Sequence, residues 1–434
     1  MNAIERLCLF LLPWTLLGAS TNTTPLSVTF EGINRVRVAW PVRSVVPSPG
    51  LRLFPRYQLE QSSDLNIWQA AGGALEGTNH IALDVVLTNQ NASTYFRLQS
   101  RVVVPGAVLR TARLDSADLR DADLEYADVS QASLTGADLR GASLLGITGF
   151  NAKLDNADLR GADLTAGDLR SATFNDALLD EVTLFAARLR FCVLDGASLA
   201  GADLRFAEVV GASLFQVDLT GADLRGASFS RSDLGYAQLK GAVLDEATTL
   251  PEKWRRVWHL VNEGRPGEVL TNLDLSFGSL QGLSLTNCNF SGTDLTGTDF
   301  SGSDLRGANF TKANLRLIFW DGSQIDAATT LTPKARLNWQ IVNEPQVGRV
   351  LPSADLSFLL LGGSELSEAN LRGANLTQSS LFQVRLRKAD LSNANLSNAN
   401  LTEADLTGAK LTGAVLNGAV FDHTIMPDGS IRGP

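Results

Sequence analysis

The sequence has few of the residues that build metal and redox sites. Its 434 residues include three cysteines and three histidines, whose spacings match neither a disulfide framework nor a zinc site. These shortages disfavour a metalloenzyme. We therefore expect no metal ion and no cofactor.

Large side chains and positive charge are scarce as well. Only 7% of the residues are aromatic, two are methionine, and the formal net charge is −9. Proteins that bind the phosphates of nucleic acids carry basic faces, so this composition disfavours direct nucleic-acid binding. The apolar residues are mostly alanine and leucine. A core of such small residues must gain its burial from regularity, which indicates a repeat.

Residues 1–20 have the composition of a secretory signal peptide. Arg6 precedes an apolar run at 7–17, and small residues follow at 18–20. The run is shorter than the roughly 20 apolar residues that a membrane-spanning helix needs. We expect cleavage near Ser20 and export to the periplasm, the cell surface or the medium, with membrane contact only through the signal peptide. The alternative is a buried helix of the following domain.

Residues 25–105 alternate apolar and polar side chains between turn clusters, which predicts short antiparallel strands. A β-sandwich-like module is the simplest arrangement of such strands. The stretch 57–68, with Trp40 before it and 95–98 after it, resembles fibronectin-type-III-like modules of exported bacterial proteins. This resemblance implies that Trp40 and Trp68 are core residues.

The strongest pattern has a period of five residues and extends over 107–421. Leucine or phenylalanine occupies nearly every fifth position from 109 to 244, and the residue two positions earlier is usually alanine. The pattern resumes over 275–325 and 356–421. Neither 3.6 nor 2 divides five, so neither a simple helix nor a flat strand would keep one face apolar along this run. A closed coil with a corner every five residues does.

Pentads such as Ala137-Asp138-Leu139-Arg140-Gly141 are similar to those of the pentapeptide-repeat family. The resemblance implies an all-β fold, a right-handed quadrilateral β-helix with four pentads in each coil. We expect three repeat blocks, at 107–245, 273–326 and 354–421, and a C-terminal tail at 422–434.

Four positions within the repeat depart from its usual residues. Cys192 and Cys288 stand where the small inward alanine usually stands, so we expect inert core thiols with no bond between them. Gly149 and Trp320 occupy pentad centres, where they are too small and too large. Trp320 would overfill the coil unless it turns outward, and we expect a bulge or kink at both places.

Two interruptions, at 246–272 and 327–353, align with each other without a gap, which indicates an internal duplication. Apolar residues of the first copy recur at helical spacing: Trp254, Val257, Trp258 and Val261. Each interruption is therefore predicted to hold one short amphipathic helix. Trp258 and its counterpart Trp339 either pack on the coils and cover exposed strand edges or anchor a partner protein.

Arginines also recur at the period of one coil. Arg120, Arg140 and Arg160 are each separated by four pentads, so they are expected on one face in successive coils, beside a matching column of aspartates. This column is either a self-balanced solvated surface or a surface for a partner. The candidate partner-binding residues are therefore Trp258, Trp339, Arg120, Arg140 and Arg160.

No catalytic arrangement is evident in the sequence. There is no Gly-x-Ser-x-Gly turn with a histidine to serve it, and a uniform aspartate ladder lacks the asymmetry that paired catalytic carboxylates need. The sequence predicts a non-catalytic exported scaffold or protein-interaction protein, with a protein partner and no small-molecule substrate. The alternative comes from the family resemblance, because some pentapeptide-repeat proteins act on topoisomerases by mimicking DNA.

Overall fold

The computed structural model describes residues 109–433, Gly106 and seven short strands closer to the N-terminus. These strands are β1 Ser27–Phe30, β2 Arg35–Ala39, β3 Arg56–Ser62, β4 Gln69–Ala70, β5 Leu75–Glu76, β6 Ala82–Val86 and β7 Tyr95–Gln99. One antiparallel sheet has the order β1-β2-β6, and in another β3 pairs with β4, β5 and β7. The predicted signal peptide, Trp40, Trp68 and the rest of the predicted module at 25–105 lie outside the described residues.

The described part of the chain after residue 108 forms coils of a β-helix. Parallel bridges join residues one coil apart, as from Asp118 to Asp138 and from Asp138 to Asp158. Backbone hydrogen bonds connect neighbouring coils, and the amide of Leu119 donates to the carbonyl of Asp138 at 2.7 Å. Paired residues are four pentads apart in the sequence, so each coil holds four pentads. The sequence period therefore corresponds to an all-β repeat fold.

The interior of the coils is filled by the pentad centres and by the small residues two positions before them. Leu159 and Ala157 are both fully buried, and Asp158 between them points outward. Cys192 and Cys288 are buried and unbonded, as predicted. Burial raises the pKa of the Cys192 thiol to about 12 and also raises the pKa of Cys288. Both side chains are therefore uncharged core groups at neutral pH.

The corners of the coils explain why glycine recurs at one position of the pentad. The corner residue has a positive φ, as in Phe206 (59°) and Gly226 (68°) of two successive coils. The ring of Phe206 lies over Gly226, where an added Cβ would be 2.6 Å from the nearest ring atom. A large corner side chain therefore fits because the next coil has glycine at the same corner.

The chain divides into two compact units. The first unit comprises Met1–Leu234 and Gly241–Pro251, and the second comprises Gly235–Lys240 and Glu252–Pro434. The second unit contains helix α1 (Glu252–Asn262), helix α2 (Pro333–Asn343) and a C-terminal hairpin of β8 (Thr424–Ile425) and β9 (Ile431–Arg432). Within the described residues, neither helix has the length and apolar character needed to cross a membrane.

Helix α2 is inserted between two groups of coils in the second unit. Asn343 Nδ2 donates to the carbonyl of Trp320 before the helix, and Lys334 Nζ donates to Asp355 after it, at 3.0 and 2.9 Å. One backbone hydrogen bond passes the helix, from the Leu317 amide to the Phe358 carbonyl at 3.2 Å. Helix α2 therefore separates the two groups of coils over most of their contact, and backbone hydrogen bonding between them continues at Leu317 and Phe358.

Trp320 is accommodated inside the coil without turning outward, and Phe319 beside it pairs with Asp299 in the normal register, so the bulge predicted at this place is absent. The Trp320 side chain is 1% exposed, its ring stacks on Phe300 at 5.9 Å, and its Nε1 donates to Asn338 of α2 at 3.1 Å, with the Asn338 amide oriented to accept. The coil is the last one before the helix, and α2 supplies space and a hydrogen-bond acceptor that another coil would lack.

The bulge predicted at Gly149 is also absent from the coils at that point. Its amide donates to the carbonyl of Asp168 at 2.8 Å, and Thr148 beside it pairs in the normal register. The side chain of Leu169 from the next coil occupies the space that a Cβ at Gly149 would need. The space left by the absent side chain at Gly149 is therefore filled by a neighbouring side chain, and the backbone keeps its regular path.

Candidate functional site

Arg120, Arg140 and Arg160 lie on one face of the first unit, in three successive coils. Arg140 donates from Nε and Nη2 to the two oxygens of Asp138, at 2.8 and 2.6 Å. Its Nε also lies 3.5 Å from Asp158 in the next coil. The guanidinium and carboxylate groups therefore form a continuous ladder of alternating charge, which we call the arginine ladder.

The ionisation of the arginine ladder is coupled within each pair. The hydrogen bond from Arg160, together with its charge, holds the pKa of Asp158 below its ordinary value, although partial burial acts in the opposite direction. The pKa of Arg140 is raised, chiefly by its hydrogen bond to Asp138. Each of these arginines is thus bonded to an aspartate of the same chain, so the ladder presents little unbalanced charge.

The two tryptophans lie on the helices of the second unit. Trp339 is partly buried on α2, and its Nε1 donates to the carbonyl and the hydroxyl of Ser323 at 3.1 Å each. Trp258 is partly buried at the matching position of α1. The fully buried residues of α1 are Trp254, Val257 and Leu260, so the helix buries Leu260 more completely than the expected Val261.

The interruptions share their hydrogen bonds as well as their sequence. Asn262 Nδ2 donates to the Leu239 carbonyl at 2.9 Å, as Asn343 does to Trp320. The two matching lysines are also equivalent, because Lys253 and Lys334 donate to Ser276 and Ser357 at 2.7 and 3.0 Å. Residues that are identical in both copies therefore hold each helix against its coils.

The sequence-predicted candidates belong to different units of the chain. The three arginines share a face of the first unit, whereas each tryptophan belongs to a different helix of the second unit. The Trp339 side chain is occupied by a hydrogen bond inside its own unit. In residues 109–433, no group of three or more histidine, cysteine, aspartate or glutamate side chains is placed to hold a metal ion.

A different surface emerges when side chains are sorted by coil face. The coil sides at 109–234 form four faces, and only one of them has more basic than acidic residues. We define the basic face by the outward positions 128, 148, 168, 188, 208 and 228, the two corner residues that follow each of them, and the matching corner residues 110 and 111. It carries five arginines and three acidic residues: Arg110, Arg170, Arg188, Arg190, Arg231, Asp128, Asp168 and Glu208. The other three faces have net charges of −3, −3 and −4.

Exposed aromatic rings border the same face. Five aromatic side chains in these coils are exposed. Phe150 and Phe191 are corner residues of the basic face, Tyr126 and Phe206 stand at the corners where the preceding face meets it, and Phe215 lies on another face. Phe191 and Phe206 lie at opposite edges of the basic face, beside Arg188 and Arg190, and they are 66% and 57% exposed. Sorting the outward residues of the sequence by coil face would have revealed this surface, whereas the search for residues that recur concealed it.

The centre of the basic face has more guanidinium groups than carboxylates. Arg170 donates to both oxygens of Asp168 at 2.7 and 2.8 Å, and Arg190 lies 2.8 Å from Glu208. Arg188 reaches the carboxylate of Asp168 only at 4.0 Å, and its side chain is 60% exposed. Three arginines therefore share two carboxylates, and Arg188 has the weakest of these pairings.

Comparisons with known proteins agree with the coil architecture. A family model described as pentapeptide repeats matches eight stretches: 106–146, 150–180, 183–221, 210–245, 284–317, 353–387, 379–418 and 389–426. No protein in the curated collection matches the chain. Solved structures that resemble the chain include pentapeptide repeat proteins.

One of these structures is HetL from the cyanobacterium Nostoc, a pentapeptide repeat protein involved in heterocyst differentiation regulation. It is 24% identical, over 74% of this chain and 92% of its own, with a TM-score of 0.23. QnrB1, a plasmid-mediated fluoroquinolone resistance protein, is 15% identical over 51% and 91%, with a TM-score of 0.26. A thylakoid-lumen protein of Arabidopsis thaliana is 24% identical over 31% and 73%, with a TM-score of 0.21. On the match of the family model to more than half of its residues, the chain belongs to the family of pentapeptide repeat proteins.

Proposed function

We propose that this protein is an exported, non-catalytic scaffold that binds a partner protein on the outer faces of its coils. The observation that carries the proposal is that each pentad has inward positions that form the core and outward positions that form the surface. Inward positions are filled by leucine, phenylalanine and alanine, and the outward positions form flat faces whose side chains vary from coil to coil. Flat, rigid faces with variable side chains suit protein recognition.

Export is the part of this proposal that the N-terminal sequence supports, through the apolar run and small residues of residues 1–20. Cell fractionation of the source organism, with mass determination of the protein's N-terminus, tests it. We expect a chain that begins near Thr21 and lies outside the cytoplasm. An intact Met1 on a cytoplasmic protein would contradict the proposal. The DNA-mimicry alternative would then be tested by a gyrase supercoiling assay.

A further inference from the structure

We propose that the basic face of the first unit binds an acidic protein segment that also carries apolar side chains. The inference rests on the proposed function, because it assigns the surface and the chemistry of the partner. Two independent features of the coils coincide on this face: a local excess of arginine and a concentration of exposed aromatic rings.

The arginine excess defines the charge of the partner. Arg170, Arg188 and Arg190 have only Asp168 and Glu208 to balance them. A guanidinium group can bind a carboxylate through two parallel hydrogen bonds. Arg188 does not form such a pair with any side chain of the basic face. A carboxylate from another chain would complete the set.

The aromatic rings define the apolar part of the partner. Phe191 and Phe206 stand at corners on opposite sides of the basic face, in neighbouring coils. Phe206 is held by an edge-to-face contact with Phe185 at 5.5 Å, and Arg205 lies over the Phe185 ring at 5.4 Å. Rigid aromatic side chains beside arginine are the usual energetic centres of protein interfaces. Leucine or phenylalanine side chains of a bound segment would cover these rings.

The segment binds through its side chains. The backbone groups of this face are already used between coils, since the amides of Arg188 and Glu208 each donate at 2.8 Å to a carbonyl of the preceding coil. Addition of the segment as a further strand is therefore not available at the centre of the face.

Arginine and aromatic side chains also suit single-stranded nucleic acid. The other three faces of these coils are acidic, however, and the whole chain has a formal net charge of −9. A long polyanion would be repelled by these neighbouring faces, whereas a short acidic segment contacts the basic face alone. The charge distribution therefore favours a protein segment.

The test measures binding of a fluorescein-labelled peptide, in which glutamate alternates with leucine and phenylalanine, to the full chain by fluorescence anisotropy. We expect the double variant Arg188→Glu/Arg190→Glu to weaken binding at least tenfold and Phe191→Ser to weaken it about fivefold. The matched controls, Arg140→Glu/Arg160→Glu and Phe215→Ser on other faces, should change the affinity less than twofold. Circular dichroism melting verifies that each variant is folded.

Two comparison ligands complete the experiment. An all-glutamate peptide of the same charge should bind at least fivefold more weakly, because it cannot cover the rings. Absence of peptide binding, equal losses in the control variants, or tighter binding of an oligothymidine of the same number of units would overturn the inference. None of these results bears on the location of the protein or its mature N-terminus. Failure of this surface therefore remains distinguishable from failure of the exported scaffold.

Discussion

The first unit contains two arrangements of arginine that differ in their relation to the repeat. Arg120, Arg140 and Arg160 recur with the coil, and each is bonded to an aspartate that recurs with it. Arg190 repeats the position of Arg170 one coil later, but Arg188 stands at the position that Asp168 occupies in the preceding coil, so these three arginines share two carboxylates. Positive charge is therefore balanced where the aspartates recur beside the arginines, and it is unbalanced where Arg188 replaces the recurring aspartate.

The second unit supports the same distinction. Its two interruptions keep Trp258 and Trp339 at equivalent positions, and Trp339 is used for a hydrogen bond to Ser323. Side chains that both copies retain hold helices against coils. Residues that occur in both copies are thus explained by structure, and those that occur once in a repeated frame are the candidates for recognition.

The largest effect is expected from a substitution that disrupts the core of the coils that carry both arginine arrangements. Leu159→Asp places a charge at a fully buried pentad centre, so we expect a loss of more than about 4 kcal/mol of unfolding free energy. Leu178→Asp is the matched control, because Leu178 is an outward residue with 39% exposure. Thermal melting by circular dichroism measures both. Equal melting of the Leu159 variant and the wild type would disprove the inward assignment.

The next effect separates a structural tryptophan from a binding one. Trp339→Ala should destabilise the second unit by about 2 kcal/mol, because a partly buried ring and its hydrogen bonds are lost. Trp339→Phe keeps most of the ring and should cost about 1 kcal/mol. Denaturant titration measures both changes, and we expect peptide affinity to remain unchanged. A loss of peptide affinity without a loss of stability would assign the tryptophan to binding instead.

A smaller effect tests the corner beneath Phe206. Gly226→Ala and Gly161→Ala both place a side chain on a residue with a positive φ, which is unfavourable. Only the new Cβ at position 226 would contact a ring in the preceding coil. We expect Gly226→Ala to cost about 1 kcal/mol more than Gly161→Ala in denaturant titrations. Adding Phe206→Ala to Gly226→Ala should remove this difference. A difference that persists in the double variant would show that the ring is not its cause.

The smallest effect concerns the arginine ladder itself. The lowered pKa of Asp158 means that its pairing stabilises the folded state above the ordinary carboxyl pKa and that this contribution is lost as the pH falls through the lowered value. Arg160→Gln should lower the melting temperature by about 2 °C or less at pH 7. The difference from the wild type should disappear in strong acid and shrink in high salt. A constant difference across pH would contradict the ion-pair account.

Much of the fold follows from the sequence because every pentad carries the same information. The inward placement of Leu159, the burial of Cys192 and the common face of Arg120, Arg140 and Arg160 all follow from positions counted in pentads and coils. Trp320 was mispredicted because its surroundings are a helix rather than another coil, and the repeat carries no information about that contact.

The candidate surface was harder to predict for a related reason. Periodicity draws attention to residues that recur, and it selected the arginine ladder and the paired tryptophans. The excess of positive charge on the basic face depends on which carboxylates lie in adjacent coils. The exposure of the rings depends on Phe191 and Phe206 standing at corners with positive φ. These are properties of the three-dimensional arrangement, although counting charges face by face along the sequence recovers the charge asymmetry.

The most direct test of the distinction between repeated and unrepeated side chains is photo-crosslinking in the source organism. Benzoylphenylalanine replaces Phe191 on the basic face or Phe215 on another face. Both side chains are exposed, and they lie in neighbouring coils. We predict a crosslinked protein from position 191 whose attached segment is acidic and apolar, and none from position 215. Crosslinks from position 215 alone, or the same products from both positions, would contradict the account.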